Sequence, residues 1–211
     1  MIYIENVFVC IAAPLLVAML TMGKKYYYIL IFCFAGMGAC LLSAYINSFF
    51  VHLYSADFLS ATSQIAPVVE EVMKLLPLLF YLLIFEPKSE KIRIAVLIVA
   101  ISFATFENIC YLTQHGASDL TFLLIRSFGT GAMHIVCGAI VGYGLVFVWQ
   151  HTWLKTAGTA SLLCTAITFH AIYNLLIAHG SSTQYLAYAL PILTLLLGGL
   201  IAKLVKAVPQ N

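Results

Sequence analysis

Five ionisable side chains stand inside stretches apolar enough to cross a membrane: Glu70, Glu71, Lys74, Glu107 and Arg126. A charge at the bilayer centre costs about 2.5 to 3.5 kcal/mol, so five left unpaired would cost on the order of 15 kcal/mol. They must pair, face a wet cavity, or both. Asn108, His134, His170 and Asn174 add polar groups on the same or following stretches. Carboxylates and imidazoles gathered in a desolvated site are what water activation for hydrolysis needs.

Two arrangements satisfy that chemistry. In the first, Glu107, His134 and His170 hold zinc, with a fourth position open for water and Glu70 or Glu71 as general base. In the second there is no cofactor: Glu70 hydrogen-bonds the water directly, His170 orients it or moves protons, and Asn174 donates to the developing oxyanion. No HExxH pair occurs, so any metal ligands come from separate helices. Adjacent Glu70 and Glu71 project about 100° apart on a helix, which turns only one of them toward the water. Glu71 also reads as a structural partner of Lys74 or Arg126. A Ser or Cys nucleophile lacks a context such as GxSxG.

The elements that must position these residues follow from composition. The chain has 211 residues, is 63% hydrophobic and only 9% charged, with a mean hydropathy of +1.04. A soluble domain carries about 25% charged residues. The formal charge of +2 gives no nucleic-acid footprint. Six cysteines, Cys10, Cys33, Cys40, Cys110, Cys137 and Cys164, lie in apolar stretches without a CxxC and read as small buried hydrophobes.

Seven runs approach the roughly 20 residues that a span requires: residues 2–22, 27–50, 65–85, 92–113, 122–149, 157–179 and 185–206. The expectation is therefore an all-α polytopic membrane protein, one integral domain over 1–211 with a four-helix catalytic core over 65–179. The breaks between runs are short. The polar stretch Ser55 to Gln64 is one break, the region from Val51 to Gln64 reads as a loop or an interfacial helix, and His115-Gly116-Ala117-Ser118-Asp119 separates the fourth run from the fifth. Lys24, Lys25, Lys88, Lys91, Arg93, Lys155, Lys203 and Lys206 fall in alternate connections or at the C-terminal end. Such asymmetry places the N-terminus outside and the C-terminus in the cytoplasm.

With that orientation all the intramembrane polar residues share the outer half of the bilayer. Glu70 and Lys74 share a helix face, as do His170 and Asn174, and Arg126, Thr130 and His134 form a drifting stripe. Pro77 cannot donate to the carbonyl of Met73, which predicts a local kink beside Lys74. Gly138 and Gly142 form a GxxxG pair that reads as a helix-packing face.

The run Pro67-Val68-Val69-Glu70-Glu71-Val72-Met73-Lys74 resembles the EExxK motif of the PrsW-like intramembrane proteases. Phe103-Ala104-Thr105-Phe106-Glu107-Asn108 is similar to their FxxxEN motif, Arg126 and His134 fall where an Arg and a single His are expected, and His170-Ala171-Ile172-Tyr173-Asn174 is similar to the closing HxxxN. The resemblance covers Pro67 to Asn174, about half of the chain. It implies a protease related to the CAAX-processing and bacteriocin-immunity superfamily, in a bacterial inner or plasma membrane. Its substrates would be single-span proteins such as anti-sigma factors. The resemblance also implies Glu70 as water activator, Glu71 as its companion, and Glu107, His134, His170 and Asn174 as the rest of the site. Lys74, Asn108 and Arg126 would support them. The CAAX branch has His where this chain has Glu107.

Two other classes fit intramembrane ionisable residues. One is a proton- or ion-coupled transporter; the other is a non-catalytic immunity or binding protein on the same scaffold. An odd span count and a polar set confined to one side weigh against a transport path.

Overall fold

A computed structural model of the protein describes residues 3–116 and 119–207, all of whose regular elements are helical. They are α1 (Ile4–Thr21), α2 (Tyr27–Tyr54), α3 (Phe58–Ser60), α4 (Ala66–Phe85), α5 (Ser89–His115), α6 (Leu120–Val148), α7 (Lys155–Ala178) and α8 (Ser181–Ala207). Short 3-10 turns at Lys24–Tyr26 and Thr152–Leu154 precede α2 and α7, and a π turn at Ala61–Ile65 leads into α4. Ile2 of the first run and Ala117 and Ser118 of the fourth break lie outside the described residues, as do the side chains of Lys25, His115, Lys203 and Lys206.

Six helices, α1, α2, α5, α6, α7 and α8, are long and apolar enough to cross a bilayer, which makes this a multi-pass membrane protein. The third expected span is α4. It is 20 residues long but carries Glu70, Glu71 and Lys74, so apolarity alone does not mark it. α4 continues through Pro77 without a break.

The connection before α4 takes the helical of the two forms expected for it. α2 runs on to Tyr54, and Ser55 ends it in a left-handed conformation (φ 48°). Asp57 then restarts a helix, its carboxylate accepting from the Ser60 amide at 2.8 Å. Most of the polar stretch is thus helical, because a capped start and a π turn satisfy its backbone groups locally.

α5 lies along α2 on one side and α6 on the other; α6 in turn carries α7 and α8, while α4 packs between α2 and α7. Lipid tails are as apolar as leucine, so these contacts gain close packing rather than hydrophobic transfer. Small residues make that closeness available. A Cβ on Gly36 would come 2.0 Å from Ser102 Oγ. Gly138 and Gly142 face Ala100 and Val96 of α5, as the GxxxG pair predicts. One core cluster includes Leu75, Leu78 and Leu82 with Val96, Val99, Cys137 and Leu145. A second joins Met37, Cys40, Phe103 and Phe106. Among the cysteines only Cys40 and Cys137 are buried; Cys10 and Cys164 are exposed, which corrects the reading of all six as buried. A thiol pays little to face an apolar surrounding, so apolar context in sequence does not decide which side of a helix it occupies.

Candidate active site

The first half of α4, the second half of α5, the first half of α6 and the second half of α7 bring their polar residues to one place. Glu71 and Lys74 are three residues apart and form an ion pair, Lys74 Nζ donating to Glu71 Oε1 at 2.6 Å. The same oxygen accepts from His170 Nδ1 at 2.8 Å. Lys74 Nζ also lies 3.0 Å from His134 Nδ1 and 4.9 Å from the centre of the Phe103 ring. His134 Nε2 lies 2.6 Å from Glu107 Oε2. From there the chain of contacts continues outward. Arg126 donates from Nη2 to Glu107 Oε1 at 3.4 Å and from Nη1 to Asn108 Oδ1 at 2.5 Å, its guanidinium 3.6 Å over the Tyr111 ring.

The network is deeply enclosed. Glu71, Lys74, His134 and His170 are all 5% exposed or less. Their pairing is obligatory, because removing one partner would leave a buried charge uncompensated. Two cations, Lys74 and Arg126, stand among three carboxylates, Glu70, Glu71 and Glu107. Glu71 is engaged by Lys74 and Glu107 by Arg126, which leaves Glu70 as the carboxylate without a matching cation. Glu70 Oε2 lies 3.8 Å from His170 Nε2, too far for a direct hydrogen bond.

Glu70 also borders open space. A cavity of about 410 Å³ is lined by Glu70, Glu107, Arg126, His170 and Asn174. A smaller one of about 210 Å³ lies toward α2, lined by Asn47 and Cys40, and again by Glu70, Glu107 and Arg126. These three residues therefore border both cavities. Adjacent Glu70 and Glu71 are sorted as their helical angle requires, one to the cavities and one into the ion pair.

Asn174 donates from Nδ2 to the backbone carbonyl of Thr62 at 2.9 Å, tying α7 to the π turn. The other hydrogen of that amide remains, and Asn174 lines the larger cavity. Asn47 is the polar neighbour that the motifs did not include. Its Oδ1 is buried without a hydrogen-bond partner. The signal was an amide near the end of the second apolar run, a run with no motif around it. Tyr111, also outside the motifs, lies under Arg126, and Phe103, the first residue of the FxxxEN string, lies under Lys74.

As a metal set, the residues that close up are Glu70, His134 and His170, each offering a donor atom within 4.8 Å of the others. The expected set had Glu107 in place of Glu70; Glu107 instead meets His134 and Arg126. The ligand types suit catalytic zinc. The hydrogen bonds of His134 do not, because an ammonium can only donate to Nδ1, and Nε2 then carries the proton that meets Glu107. Neither ring nitrogen keeps a free lone pair, so three protein ligands are not on offer in this arrangement.

Membrane-spanning helices that enclose carboxylates, imidazoles and their counter-cations define a polytopic membrane protein with a buried acid–base site. The family model described as PrsW family intramembrane metalloprotease matches residues 23–197, and the chain belongs to that family. No curated protein and no solved structure matches it.

Proposed function

We propose that the chain is an intramembrane endopeptidase that cuts a single-span, membrane-anchored protein of the anti-sigma-factor kind near the extracytoplasmic side. The observation that carries this reading is the position of Glu70: a carboxylate unmatched by a cation, facing two cavities, 3.8 Å from the open nitrogen of His170. α4 would be the seventh span, the N-terminus outside and the C-terminus cytoplasmic, in a bacterial inner or plasma membrane. Helices α4 to α7 would form the catalytic core.

His170 donates its Nδ1 proton to Glu71 and so presents the Nε2 lone pair toward Glu70. A contact of 3.8 Å suits a water held by both groups. Glu70 takes a proton from that water as its oxygen attacks the scissile carbonyl carbon, and Nε2 steadies the remaining O–H. The spare Asn174 N–H donates to the carbonyl oxygen as it becomes an oxyanion. When the C–N bond breaks, the proton on Glu70 passes to the departing nitrogen, which yields a carboxylic acid and an amine. A substrate strand running between the two cavities crosses Glu70, with Asn47 at one end and Asn174 at the other. The two amides suit the N–H and C=O groups of an extended backbone.

A transporter is disfavoured by what lies beyond Lys74. There the interior is the apolar cluster of Leu75, Leu78, Val99, Cys137 and Leu145. The test is cleavage of a single-span reporter in proteoliposomes. Glu70→Gln, with its unfolding midpoint retained, and His170→Ala, measured per folded molecule because it empties a buried position, should each lower it by at least about a hundredfold, the scale of a lost general base. Full cleavage by both variants would overturn the reading.

A further inference from the structure

The hydrolytic scheme gives Lys74 no task, although it stands between both histidines and Glu71. It is buried at 5% exposure, and its three ammonium hydrogens have three destinations: Glu71 Oε1 at 2.6 Å, His134 Nδ1 at 3.0 Å and the face of Phe103 at 4.9 Å. An ammonium has no acceptor. The contact at 3.0 Å therefore fixes His134 Nδ1 as an acceptor, which excludes both the imidazolium and the Nδ1–H form. The single imidazole proton must sit on Nε2, where Glu107 accepts it at 2.6 Å. At His170 the polarity is reversed: Glu71 is the acceptor, so Nδ1 carries the proton and Nε2 is open. The two rings stand edge to face with centres 5.2 Å apart, yet they meet opposite ends of one ion pair.

We propose that Lys74 is a positioning residue, the cationic half of a Glu71–Lys74 pair that imposes opposite tautomers on the two histidines. His170 becomes an acceptor toward the water side. His134 becomes a donor that holds Glu107 and is withheld from metal. The catalytic consequence rests on the proteolytic reading; the tautomers themselves do not.

Nitrogen NMR of ¹⁵N-histidine-labelled protein in nanodiscs reads this directly, with His134→Gln and His170→Gln spectra to assign the signals. His134 should show a protonated Nε2 and an unprotonated Nδ1, and His170 the reverse. Lys74→Met should leave the proton on Nε2, where Glu107 still accepts it, but strip Nδ1 of its hydrogen bond and move the Nδ1 signal toward that of a free nitrogen, and Lys74→Arg, which still donates, should restore the wild-type pattern. Freed from its donor, His134 should then ligate, so the zinc affinity of Lys74→Met, measured by competition with a chromogenic chelator, should rise about tenfold or more, the scale of outer-partner effects on metal sites. A protonated Nδ1 on His134 in the wild-type protein would overturn the proposal. So would tight zinc binding by wild type that shifts both histidines, or an unchanged His134 pattern in Lys74→Met. Should Lys74→Met fail to fold, the wild-type spectrum still decides. Full cleavage by both Glu70→Gln and His170→Ala would sink the hydrolytic scheme and leave the tautomers standing, so the two failures are distinguishable.

Discussion

Up to Lys74, α4 buries Glu71 and Lys74 against His170 and His134; beyond it, the same helix buries Leu75, Leu78 and Leu82 in a core shared with α5 and α6. Burial is equally deep in both halves, at 3% to 6% exposure. What differs is direction. The polar half is held by contacts that have a donor and an acceptor end, so each partner dictates the proton position of the next. The apolar half is held by shape alone and tolerates any side chain that fills it. A membrane site needs the first kind to define chemistry and the second to keep the first from shifting.

Substitutions can break that contrast at graded points. The largest effect falls on Glu70, whose change to Gln should cost at least about a hundredfold in cleavage with no loss of stability, since it is engaged by no cation. Next come Glu71→Leu or Lys74→Met alone. Each strands a buried charge and should lower stability by about 3 to 5 kcal/mol, whereas the double variant should recover much of that loss. Unfolding in detergent, read as a double-mutant cycle, checks the coupling. In the apolar half Leu78→Ala should cost about 2 to 5 kcal/mol by leaving a cavity. Its turnover per folded molecule should stay near the wild-type rate, which single-turnover assays would register. Gly138→Ala, whose new Cβ would come 2.8 Å from that of Ala100, should cost about 1 to 3 kcal/mol through overpacking. The smallest effect belongs to Cys164→Ser on an exposed helix face, where the unfolding midpoint should not move.

The helical architecture was legible because spans advertise themselves by length and apolarity, and seven of the eight helices follow the apolar runs. The residues of the site were legible for the converse reason: a charge in such a run is costly enough to need a purpose. Partners were less legible. Sequence placed Glu107 with the histidines as a ligand, whereas Arg126 and His134 take up its oxygens, a choice set by how α5 and α6 are rotated against each other. Asn47 escaped notice because an amide in an apolar run carries no spacing signal. The stretch before α4 was legible only as far as a choice between loop and helix, for a related reason. Polar residues suggest a loop, but Asp57 caps the next turn and the backbone needs nothing more.

The π turn at Ala61–Ile65 gives the chain a place where its length can change without harm to the core. Each turn of that kind holds one residue more than an ordinary helical turn. Deleting one residue there would restore an ordinary α turn, leave what precedes it at nearly the same angle to α4 and reshape only the turn itself. Glu70, Glu71 and Lys74 would keep their bearings on α6 and α7, while the Thr62 carbonyl would swing away from Asn174. The rim of the site is thus mechanically separable from its floor. Insertions and deletions in this turn are a route by which selection can retune what enters while leaving the proton-handling machinery as it is.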